Sequence, residues 1–256
     1  MAERVPIEDL PLENVHLLQA VLQELHIDPA ERSQEFVMSL HAGHIADLAE
    51  EIVLLESQDH RAASPVIARA IYESLFKLGL ALKNPELSAE YTLREVEWSK
   101  IQDEIKGAKP RELKDIRKRP EYAPIGKGVA RLGQRWKLTN EQIASDRIPT
   151  TYSYALKAEM VPLYHRQYAE LSSFAHASAS TFIARIVGRA TSGLVLAYVT
   201  FAIISALNRI AEKYRTSLPP DLLLKVQRSN RIFQSFSKPA YFLTRPTSPG
   251  KEFQTN

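Results

Sequence analysis

Apolar residues in this chain recur at three- and four-residue spacing, and no stretch alternates apolar with polar residues long enough to make a convincing strand. That periodicity restricts the fold more than any other feature, because a side chain returns to the same face every 3.6 residues in a helix and every two in a strand. Glu13 to Leu25 places Val15, Leu18, Val21, Leu22 and Leu25 on one face. A second helix opens at Pro29 and runs through Phe36, Met38, Leu40, Ile45, Leu48, Ile52 and Leu55, with Gly43 as a point where it can kink. Ser64-Pro65 reads as cap plus first helical position for a third helix ending near Leu82. Asn84-Pro85 stops that helix and starts a fourth, which reaches about Ile105. After Pro149 the pattern predicts two long helices, near Pro162 to Arg189 and Thr191 to Thr216. A shorter one follows Pro219-Pro220 to about Arg231. The expected fold is an all-α, single-domain helical bundle of about six to eight helices over 1–236. The residues from 237 to 256 form a Pro-, Ser- and Thr-rich tail expected to be disordered.

The absence of cysteine removes disulfides, thiolate metal sites and cysteine nucleophiles from consideration. The opening MAERVPIEDLPLENV has no apolar core and is not a secretory signal, so the cytoplasm is the expected compartment. Charge is unevenly spread. Between Lys106 and Lys137 eleven Lys and Arg face three acids, a local +8 in a chain whose net charge is +3, which leaves −5 for the remainder. The same segment holds Pro110, Pro120, Pro124, Gly126, Gly128 and Gly133, and reads as an irregular basic connector over 106–137 with a short helix after it at Thr139 to Ala144. An anionic partner, RNA or DNA, is the expectation such asymmetry raises, with Arg117, Lys118, Arg119, Arg131 and Arg135 as its candidate contacts. A solvated connector is the alternative.

The eighteen residues Ala190 to Leu207 carry no charge and reach bilayer-spanning length. Thr191, Ser192, Gly193, Thr200 and Ser205 dilute the run, and a helix buried on all sides has the same look, so a core helix is preferred to a membrane anchor.

Two polar stripes interrupt the apolar pattern. Tyr168, Ser172 and His176 stand at i, i+4 and i+8, one helical face about 12 Å long. Arg69 and Glu73 stand at i and i+4 on the otherwise apolar third helix. A bundle interior has to pair such groups, so the two stripes are expected to meet. They are either a structural network that fixes helix register or a catalytic cluster in which His176 serves as acid/base and Arg69 holds phosphate. His41, His44 and Asp47 share a third face. Their residue types can ligate metal, but the reading taken is an exposed polar face with no metal. No Walker motif, dinucleotide fingerprint or serine elbow occurs, and no cofactor is called for.

The order Arg-x-x-x-Glu on an apolar helix, then Asn-Pro, then a helix with Tyr91 and Trp98, then Tyr-x-x-x-Ser-x-x-x-His-x-Ser, resembles a bacterial all-helical family of uncharacterised proteins, domain of unknown function family 5677. The likeness covers roughly Ala63 to Arg185. It implies that Arg69, Glu73, Tyr168, Ser172 and His176 belong together, and brings no activity. A looser likeness is to HEPN bundles, many of them metal-independent ribonucleases of defence or toxin systems. Their Arg followed four to six residues later by His is missing here. Three functions fit these readings: a nucleic-acid-associated or defence-type protein, a non-enzymatic bundle that binds a small molecule or a protein (a homo-oligomer included), and a membrane-associated protein.

Overall fold

The computed structural model describes residues 9–26, 34–58, 63–107, 149–175 and 189–236. All regular structure among them is helical. The helices are α1 (Leu10–Glu24), α2 (Gln34–Ser57), α3 (Ser64–Lys83), α4 (Pro85–Gly107), α5 (Thr151–Lys157), α6 (Val161–Leu163), α7 (Ala169–Ala175), α8 (Arg189–Lys213) and α9 (Pro220–Phe236). A π-helical turn, Tyr164–Tyr168, joins α6 to α7 without a break.

The hub is α3. It packs against α2, α4, α5, α7 and α8. Its sequence explains why: Ala68, Ile71, Tyr72, Leu75, Phe76, Leu78 and Leu80 are all fully buried, which is more than one stripe can supply. A helix that is apolar nearly all round has to be surrounded. Gly79 lets the α5–α6 junction come close, because a Cβ there would stand 2.8 Å from Met160 Sδ and 3.0 Å from the Ala158 Cβ. α1 lays Val15, Leu18 and Val21 against α2 and α8.

The charge-free run lies in α8, the one helix among the described residues long and apolar enough to cross a membrane, over Gly193–Lys213. Here it packs as a core helix. Val199, Ala202, Ile203, Ala206, Leu207 and Ile210 have no exposed surface, and α1, α2, α3 and α9 surround it.

Several boundaries differ from the sequence reading. Ala63, not Ser64, caps α3. Its φ of −87° and ψ of −27° are already helical, so Ser64 falls in the first turn, where its buried hydroxyl makes no capping bond. Pro65 then takes the second helical position, still among the N–H groups that have no partner in any helix. α2 runs on through Gly43. α9 extends beyond Arg231 to Phe236. α5 has no counterpart in the sequence reading. Thr150 begins it by accepting from Ser153 N at 3.2 Å, while Ser153 Oγ accepts from Thr150 N at 3.4 Å. This is a capping box with Ser in place of the usual Glu or Gln, which is why it went unread. The connector beyond Gly107, the short helix at Thr139 to Ala144, and the tail lie outside the described residues.

Candidate ligand-binding site

Arg69 and Glu73 occupy successive turns of α3, and Arg69 Nη2 stands 3.2 Å from Glu73 Oε1. Tyr168 reaches them from the π turn. Its hydroxyl accepts from Arg69 Nε at 3.1 Å and donates to Glu73 Oε1 at 2.9 Å. Tyr168 of one stripe therefore meets Arg69 and Glu73 of the other through its phenol. Burial pulls the Arg69 guanidinium down, but Tyr168 and Glu73 outweigh it and leave the net value above the ordinary one.

The π turn aims Tyr168. A wider turn brings residues four apart nearly over one another, and Tyr164 and Tyr168 stack with centroids 5.0 Å apart and planes 22° apart. Phe76, one turn along α3 from Glu73, meets the Tyr168 ring edge-on at 5.9 Å. The Arg69 guanidinium carbon lies 5.4 Å from the centroid of the Tyr168 ring. Beside this cluster, the buried Tyr72 donates to Tyr198 O at 3.1 Å, and Tyr198 donates to Glu170 Oε2 at 2.6 Å. Burial, and then the Glu170 carboxylate, push the Tyr198 phenol well above its usual range. Ser172 is half-buried and hydrogen-bonds to none of Arg69, Glu73 and Tyr168. His176 lies outside the described residues, as do Arg117, Lys118, Arg119, Arg131 and Arg135.

Within this network each polar group answers another. Replacing Tyr168 with Phe keeps the ring contacts and removes both hydroxyl bonds, at an expected cost of about 1–2 kcal/mol in urea unfolding. An unchanged midpoint at unchanged m would show that the network holds nothing.

Glu73 also faces a cavity of about 550 Å³ between α2 and α3. α2 lines it with His41, Gly43, His44 and Asp47, and α3 with Glu73, Ser74 and Lys77. His44 and Asp47 are exposed, as the sequence reading has them, but His41 is not. It lies on the stripe of Met38 and Ile45, both buried, and its Nε2 is buried without a hydrogen-bond partner among the described residues. Burial first, then the charges of Lys77 and His44, lower the His41 pKa to about 3, so the ring is neutral at ordinary pH. Lys77 is engaged elsewhere: its ammonium bonds Glu95 Oε2 of α4 at 2.6 Å and lies 5.2 Å from the centroid of the Tyr154 ring. Among the described residues no group of three or more His, Asp or Glu could hold a metal ion.

Sequence reasoning missed Lys77, Glu95 and the burial of His41. The last had a signal in its spacing of three from Met38 and four from Ile45. It also missed Glu90 and Arg94 on α4, an i, i+4 ion pair in which both side chains are almost wholly buried.

No curated protein and no solved structure matches the chain. The family of unknown function DUF5677 matches residues 35–193, a span that contains α2 to α7 and therefore both the tyrosine-bridged network and the cavity. The chain is a member of that family.

Proposed function

We propose that this chain is a non-enzymatic binding protein that takes a small molecule into the α2–α3 cavity, with Arg69, Tyr168 and Glu73 as the network that holds one wall. The observation that carries the reading is Gly43. Glycine inside a helix costs roughly 0.5–1 kcal/mol relative to alanine. A Cβ at Gly43 would meet nothing within 4 Å, so no packing in the described chain requires glycine there. The open space belongs to the cavity, and close approach of a ligand to the backbone is a physical use for such a residue.

The volume is of the size that holds a metabolite-sized ligand. Acid/base catalysis is poorly served at this site: His41 is tuned far from neutrality, and Glu73 and Lys77 are tied to Arg69 and Glu95. The nucleic-acid reading draws on the charge of 106–137 alone, and the cavity adds nothing to it.

The test is thermal unfolding of the full chain with a panel of amines, amino acids, nucleosides and sugars. One class is expected to raise the midpoint of the wild type and to raise that of Gly43→Ala less, because the added methyl stands where the ligand approaches the backbone, although Gly43→Ala is itself about 0.5–1 kcal/mol more stable without ligand. Gly43→Trp, whose indole occupies the cavity, is expected to show no ligand response. A panel that leaves the wild type unmoved, or shifts Gly43→Trp equally, counts against the cavity as a binding site.

A further inference from the structure

Charge decides what the cavity can accept. Three of its lining residues carry formal charge at neutral pH: Asp47, Glu73 and Lys77. Glu73 is neutralised by Arg69 at 3.2 Å, and Lys77 by Glu95 at 2.6 Å. Asp47 makes no ion pair and no side-chain hydrogen bond among the described residues, so among these the charge left uncompensated at the site is one carboxylate at its rim. An anion entering here would meet that carboxylate and find the lining ammonium of Lys77 already bound to Glu95. A cation would find a free counter-charge.

The rest of the wall suits the remainder of such a molecule. Leu40, half exposed at 50%, presents apolar surface to the same cavity, and Gly43 leaves room against the backbone of α2. His41 lines the same wall, with its Nε2 buried beneath it and without a hydrogen-bond partner among the described residues. Because its ring stays neutral at ordinary pH, it does not repel a cation.

Resting on the reading of the cavity as a binding site, we infer that its ligand is a small organic cation, a protonated amine or guanidinium on a short alkyl body, whose charged end docks on Asp47 while its alkyl part lies along Leu40 and Gly43.

The experiment is isothermal titration calorimetry of the full chain with agmatine as the cationic probe and adenosine monophosphate as the anionic one. Wild type is expected to bind agmatine and not the nucleotide. Asp47→Asn is expected to weaken agmatine about tenfold, the loss of one charge-assisted contact, and Asp47→Glu to retain most of it. Asp47 is exposed, so neither change threatens the fold. Gly43→Trp is expected to abolish binding. Agmatine binding that Asp47→Asn leaves unchanged overturns the inference. Nucleotide binding that Gly43→Trp removes overturns the cation assignment and leaves the cavity standing as a binding site. Wild type silent toward agmatine overturns the cation assignment. Only silence toward the whole panel of small molecules as well overturns the binding reading beneath it.

Discussion

Replacing Arg94 with methionine is expected to lower stability by about 3–5 kcal/mol, the cost of stranding one member of a buried ion pair. Arg94 and Glu90 are one turn apart on α4, with side chains 1% and 2% exposed, and the guanidinium hydrogen-bonds the Glu90 carboxylate directly. α4 packs on both α2 and α3, and almost none of either charged side chain reaches solvent. Burial pushes the Glu90 carboxyl above its usual range, and Arg94 pulls it part of the way back. Without Arg94 the carboxylate must either stay charged in an apolar setting or take up a proton, and both are costly. The double change Arg94→Met with Glu90→Leu removes the stranded charge, and should recover most of the loss. Urea unfolding of the three variants measures this. A single variant within about 1 kcal/mol of wild type, the range of a surface pair, would mean that the pair is solvated.

The second large effect is on pH. Burial, and then Lys77 and His44, hold the folded His41 imidazole down at about 3, against the ordinary 6.5 that it regains when unfolded. Below 6.5 the unfolded chain therefore binds a proton that the folded chain refuses. The stability tied to this residue is fully present above 6.5 and declines as pH falls toward 3. At about 1.4 kcal/mol per pH unit, the loss between neutral pH and pH 5 is about 2 kcal/mol. His41→Asn should flatten that part of the pH profile relative to wild type. Measuring the difference between the two proteins isolates His41 from the other histidines, and staying above pH 5 keeps carboxylate titration small. Parallel profiles for the two proteins would place the His41 ring in contact with water.

Much of the fold could be read from periodicity because the bundle is built from faces. α1 shows one apolar stripe, and α3 shows too much apolar surface for one. The pairing of Arg69 with Glu73 was also legible, since i, i+4 spacing is local information, but the π turn that aims Tyr168 has no mark in that spacing. What could not be read depends on which helix covers which face. Glu90 and Arg94 look like an ordinary solvated pair in the sequence, and their burial appears only once α4 is packed in the fold, where it meets α2 and α3. Lys77 has no acid at helical spacing that it uses. It pairs with Glu95 across a helix boundary, and such a contact has no signature in α3 alone. The cavity is likewise a property of the gap between α2 and α3, and in the sequence only Gly43 marks it.

The π turn from Tyr164 to Tyr168 makes the winding of the chain, as well as residue identity, a determinant of the site. It holds one residue more than an α-helical turn needs. Were the same residues to wind as α-helix, with none removed, everything beyond would rotate by about 100°, the step of one residue around a helix. Tyr168 would then point away from α3, and Arg69 and Glu73 would keep only each other. The tyrosine bridge thus depends on how this turn is wound, and the presence in the chain of every residue that forms it is not enough.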